Sequence, residues 1–98
     1  MHDGFTFEDP AEIIAHRGYS ARAPENTLAA IDLAIEAGAD AVEFDLHTAG
    51  DGNPVLFHDA MVSRTTNGVG PVRRRTLEQL QKLDAGSWFS AEFAGERI

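Results

Sequence analysis

Between residues 13 and 46 the hydrophobic pattern changes period twice, and that order leaves few folds open. Ile13-Ile14-Ala15 is a short apolar run ended by His16, Arg17 and Gly18, as expected of a buried strand. A loop is expected from Gly18 to Pro24. Leu28, Ile31 and Ile35 then recur at helical spacing, with Ala29, Ala30, Ala34 and Ala37 supporting the helix. Asn26 is placed to cap its first turn, and Gly38 to stop it. Ala41 to Leu46 alternates with period two and reads as a second strand. Strand, helix and strand in this order predict a βαβ unit and a parallel sheet.

Beyond this unit, Asp51-Gly52-Asn53-Pro54 is turn chemistry, and Val55-Leu56-Phe57 reads as a third strand ending at His58-Asp59. Residues 60–75 read as irregular. Thr76 and Gln79 have the spacing of a capping box, opening a helix with Leu77, Leu80 and Leu83 on its buried side. Asp84-Ala85-Gly86-Ser87 ends it. Residues 1–11 read as a lead-in, and 12–98 as part of one α/β domain, since 98 residues suffice for one small domain and not two.

Several function classes are disfavoured. No apolar run approaches the roughly 20 residues needed to span a bilayer. The start, M-H-D-G-F-T-F-E-D-P, lacks a basic region followed by an apolar run, so no secretory signal is expected and a cytoplasmic location is. There is no cysteine, which excludes thiolate chemistry and disulfides. Eight Lys and Arg against sixteen Asp and Glu give a net charge of -8, which argues against a nucleic-acid partner. An acidic chain that handles phosphate needs an arginine, helix N–H groups or a bound cation at the site.

The chemistry-bearing residues collect at the expected strand ends, where parallel sheets carry function. On one continuous strand Glu43 and Asp45 point to the same face. Two like charges there call for compensation, and a hard divalent ion bound by carboxylate oxygens supplies it; two solvated acids on a half-exposed strand are the plain alternative. His16 and His58 each end a short apolar strand and suit general acid–base work, although a lone histidine is more often structural. His2 and His47 are read as bystanders. Arg17 offers a fork for two phosphate oxygens, or an ion pair with a neighbouring acid. Asn26 is as readily a cap as a site residue, and Glu25 suits the helix dipole in any case. Asp59 orients His58 or binds backbone. Arg73-Arg74-Arg75 reads as a solvated turn, and Trp88, Phe89 and Phe93 as core, with a substrate platform as the alternative that a loop placement leaves open.

Four motifs taken in order are specific: His16-Arg17-Gly18, Pro24-Glu25-Asn26-Thr27, Glu43-Phe44-Asp45-Leu46, and Asp51-Gly52 through Pro54-Val55 to His58-Asp59. The chain strongly resembles the glycerophosphodiester phosphodiesterase family from about Ile13 onward. The resemblance implies the N-terminal portion, about two βα units, of a (β/α)₈ barrel that hydrolyses glycerophosphodiesters to glycerol 3-phosphate and an alcohol. It implies Glu43 and Asp45 as ligands of Mg²⁺ or Ca²⁺, His16 and His58 as the catalytic pair, Arg17 on the phosphate, and Glu25 and Asn26 beside the site. Such a barrel takes about 250 residues. The family's further metal carboxylate and phosphate-side lysine have no counterpart in these 98 residues, so a missing C-terminal segment or an oligomer is expected. Two competing expectations are a catalytically incompetent fragment that binds a cation or phosphate, and lysophospholipase D-like specificity for lysophospholipid or sphingomyelin headgroups.

Overall fold

A computed structural model describes residues 5–9 and 12–98. Its strands are β1 (Phe5–Asp9), β2 (Glu12–His16), β3 (Ala41–Glu43), β4 (Leu46–Thr48) and β5 (Pro54–Leu56), and its helices α1 (Leu28–Glu36) and α2 (Leu77–Leu80). The chain divides into two units, the first ending at Phe44 and the second starting at Asp45.

In the first unit β2 and β3 run parallel with α1 between them, as the βαβ pattern predicts. The register pairs Ala15 with Val42 and His16 with Glu43. β1, inside the segment read as a lead-in, pairs antiparallel on the other side of β2. Asp40 fixes the start of the parallel pair twice. Its N–H donates to the Ile13 carbonyl at 2.9 Å, and its carboxylate accepts from the Ile13 N–H at 2.8 Å.

The buried face of α1 differs from the expected Leu28, Ile31 and Ile35 stripe. Ala30 and Ala34 are fully buried, whereas Leu28 is 70% and Ile35 63% exposed. At about 100° per residue, Leu28 and Ile35 lie on the side of the helix away from Ala30. Alanine is selected at the contact because the helix lies close: Ala34 packs with Ala15, with Ile13, Tyr19, Ala39 and Val42 around them. The helix stops as expected. Gly38 takes φ 86°, its N–H donates to the Ile35 carbonyl, and the Ala39 N–H donates to that of Ala34, a Schellman arrangement.

The expected strand from Ala41 to Leu46 is broken. β3 ends at Glu43 and β4 begins at Leu46, with Phe44 and Asp45 outside both. The two short strands take different partners, β2 for β3 and β5 for β4, so uninterrupted alternation does not carry from Glu43 to Asp45.

In the second unit β4 and β5 form an antiparallel hairpin across the predicted turn. There Gly52 takes φ 87° and Asp51 accepts from the backbone and side chain of Asn53. The core is Ala49, Val55, Phe57, Val62, Val72 and Leu80, with Leu77 and Leu83 packed against it. The capping box on α2 forms as predicted: Thr76 Oγ1 accepts from the Gln79 N–H, and Gln79 Oε1 from the Thr76 N–H. Asp84 ties the following turn, accepting from the N–H groups of Gly86, Ser87 and Gly95 and from the Ser87 hydroxyl. Of the three arginines read as a solvated turn, Arg73 and Arg74 are exposed, but Arg75 donates to the Val69 carbonyl at 2.6 Å.

Candidate functional site

In the first unit the candidate residues are gathered by the segment from β2 to α1. His16 is the last residue of β2 and the register partner of Glu43. Neighbours in register on parallel strands share a face, and His16 Nδ1 lies 3.5 Å from Glu43 Oε2. Both side chains are well exposed, so the contact itself adds little stability.

The chain then turns sharply. Arg17 takes φ 56° and Gly18 φ 77°. Left-handed backbone at a residue with a side chain costs about 1–2 kcal/mol, and such strain concentrates at functional sites. Gly18 is required for a second reason: a Cβ there would come within 2.6 Å of the Ala30 backbone. The loop closes on itself through the Asn26 N–H, which donates to the Arg17 carbonyl at 3.0 Å. Arg17 Nη1 stands 3.5 Å from both Glu25 carboxylate oxygens, a loose ion pair. The fork therefore has an acid beside it, as one of its two expected readings holds.

The expected cap shifts by one residue. Thr27, not Asn26, is the N-cap: its hydroxyl accepts from the Ala30 N–H and donates to the Pro24 carbonyl. Asn26 takes φ 58° and is only 4% exposed. Asparagine tolerates this conformation better than most residues. That tolerance, next to a threonine equally able to cap, was the available signal in Pro24-Glu25-Asn26-Thr27.

In the second unit His58 follows β5 and is held at three levels. Its ring Nδ1 is 2.7 Å from Asp59 Oδ1. Asp59 is gripped by Arg64, whose Nε donates to Oδ2 at 2.8 Å and whose Nη2 donates to Oδ1 at 2.9 Å. The Arg64 fork, and then the His58 ring, hold the Asp59 carboxyl well below the usual carboxylate range. Finally, His47 Nε2 lies 2.7 Å from the His58 carbonyl. A carbonyl only accepts, so His47 donates and clamps the backbone of His58. Asp45 enters this unit through its carbonyl, which accepts from the Phe57 N–H at 2.9 Å. Nothing in the sequence marks Arg64 as a partner of Asp59, because four residues of irregular chain separate the two. His2 lies outside the described residues.

Glu43 and Asp45 have the donor chemistry a hard divalent cation takes, since ionised carboxylates supply only oxygen acceptors. The set is short of a shell: among the described residues no group of three or more His, Cys, Asp or Glu is placed to hold a metal. No described helix is long and apolar enough to cross a membrane.

The sequence model of the glycerophosphoryl diester phosphodiesterase family matches residues 16–98. A glycerophosphodiester phosphodiesterase of Caldanaerobacter subterraneus subsp. tengcongensis is 55% identical over 86 residues, covering 88% of this chain and 35% of that protein. The crystal structure of glycerophosphodiester phosphodiesterase from Agrobacterium tumefaciens superposes with a TM-score of 0.84 at 45% identity, over 87% of this chain and 37% of that one. An Oleispira antarctica phosphodiesterase, solved in complex with the product sn-glycerol-3-phosphate, gives a TM-score of 0.85 at 52% identity, over 87% and 34%. The α/β fold thus matches the N-terminal part of the family's barrel structures. The chain spans about a third of the length of the curated relatives it matches.

Proposed function

Since this chain belongs to the glycerophosphoryl diester phosphodiesterase family, we propose that it takes part in metal-assisted hydrolysis of glycerophosphodiesters to glycerol 3-phosphate and an alcohol. In this reading residues 12–98 are the N-terminal part of the phosphodiesterase domain. One observation carries it. Each candidate histidine ends or follows a short strand with a carboxylate at its Nδ1, Glu43 for His16 and Asp59 for His58. At His58, Nδ1 engaged in this way makes Nε2 the nitrogen for proton transfer.

Glu43 and Asp45 are the residues that would hold Mg²⁺ or Ca²⁺. When bound, the cation draws charge from a phosphate oxygen. Arg17 binds a second oxygen through its fork, and Glu25 and Asn26 flank it. One imidazole takes the nucleophile's proton as its oxygen bonds to phosphorus. The other gives a proton to the alkoxide as the bond from phosphorus to the alcohol breaks. Glu43 has two oxygens and so serves both His16 and a cation.

Incubating the protein with glycerophosphocholine, with and without Mg²⁺ or Ca²⁺, tests the reading. Cation-dependent release of glycerol 3-phosphate supports it. A second reading, a cation- or phosphate-binding module without turnover, is favoured by the short ligand set among the described residues. Saturable Ca²⁺ binding with no product above blank would establish that one instead.

A further inference from the structure

The three residues His58, Asp59 and Arg64 form a relay in which only the first has a place in the chemistry proposed above. The order of the contacts decides what each can do. Arg64 presents Nε and Nη2 to the two Asp59 oxygens at 2.8 and 2.9 Å, the parallel two-point geometry that is stronger and more directional than a single charge contact. Asp59 is thereby kept ionised, and an ionised carboxylate only accepts. The 2.7 Å contact with His58 Nδ1 therefore requires the proton on Nδ1. In the neutral ring that leaves Nε2 as the bare nitrogen.

We propose that Arg64 is a positioning residue for this chemistry, fixing through Asp59 the His58 tautomer and ring orientation that proton transfer at Nε2 needs. The inference rests on His58 taking part in the proposed reaction. Its physical basis is local. The Asp59 side chain has its ring contact on Oδ1 and guanidinium contacts on both oxygens. With Arg64 removed, the carboxylate keeps one anchor, the ring it is meant to hold. It then rotates, and the imidazole becomes able to place its proton on either nitrogen. The backbone of His58 is held separately by His47, so loss of Arg64 releases the ring and not the strand end. Arg64 is well exposed, so its replacement does not open a cavity in the core.

The test combines nitrogen-detected NMR of the histidine rings with kinetics, using the unsubstituted chain, Arg64→Ala and Asp59→Asn. In the unsubstituted protein, above the pH at which the imidazole is charged, the neutral His58 ring is expected with Nδ1 protonated and Nε2 bare. Arg64→Ala is expected to give a mixture of the two tautomers. Asp59→Asn, whose amide can turn an N–H toward Nδ1, is expected to favour the Nε2-protonated form. With glycerophosphocholine, Arg64→Ala should lower kcat by about 10-fold or more and leave KM near its starting value, within the roughly 10²–10⁴-fold that a positioned acid–base group supplies. A His58 spectrum unchanged by both substitutions overturns the proposal, and so does a shifted tautomer with kcat unaltered. If the unsubstituted protein shows no turnover, the reading of the reaction fails, and the nitrogen spectra alone uphold or overturn the coupling of Arg64 to the ring.

Discussion

Replacing Gly18 by alanine puts a methyl group 2.6 Å from the Ala30 carbonyl carbon, 2.7 Å from its Cβ and 2.8 Å from its carbonyl oxygen. These are atoms of α1 and cannot swing aside as a flexible side chain would. The Tyr19 N–H donates to that same carbonyl at 2.9 Å, so separating loop from helix also stretches this bond. Two contributions add. Alanine at φ 77° costs about 1–2 kcal/mol. Forcing a methyl into a filled contact costs about 1–3 kcal/mol. The sum, about 2–5 kcal/mol, compares with a total stability of about 5 kcal/mol at the low end for a small domain. Gly52→Ala separates the contributions, because Gly52 has φ 87° and nothing within 4 Å of its Cβ position. Urea unfolding followed by circular dichroism at constant m should show Gly18→Ala as clearly more damaging than Gly52→Ala. Equal losses at the two glycines would refute the close approach of loop and helix.

Leu80 is fully buried, and Leu80→Ala should cost about 2–5 kcal/mol in the same unfolding assay. Thr27→Ala should cost about 1 kcal/mol through loss of the α1 cap, read as a lowered midpoint of the helical signal against temperature. The Asp84 carboxyl is held well below the usual range by the Ser87 hydroxyl and the Ser87, Gly86 and Gly95 N–H groups. A depressed folded-state pKa adds stability that is complete above the unfolded value near 3.9 and is lost as pH falls toward the folded one. The urea midpoint should therefore drop below about pH 4, and less steeply in Asp84→Asn.

The parts of the fold that were legible in the sequence are those fixed by local chemistry. The Thr76 and Gln79 capping box, Gly38 at the end of α1 and the Asp51–Pro54 turn depend on residues within a few positions of one another. The order of the βαβ unit followed from the change of period. The misread features are set by distant partners. Which face of α1 is buried depends on β2 and on Gly18, and the closest packing there selects Ala30 and Ala34 over larger side chains. The break between Glu43 and Leu46 arises because each short strand has its own partner, which alternation alone cannot reveal. In the candidate site the histidines and carboxylates stood out by residue type and position. Arg64 did not, since only the fold of the 59–64 segment brings its guanidinium to Asp59.

The central claim is that His16 and His58 of this chain carry phosphodiester chemistry. Its most direct test is to graft residues 16–98 in place of the matching segment of the Caldanaerobacter relative, which is 55% identical over 86 residues. Glycerol 3-phosphate release from glycerophosphocholine is then measured with Mg²⁺ or Ca²⁺ present. The account predicts turnover by the graft, lowered about 100-fold or more by His16→Ala and by His58→Ala separately. A folded graft that releases no glycerol 3-phosphate, or one whose rate neither substitution changes, would contradict it.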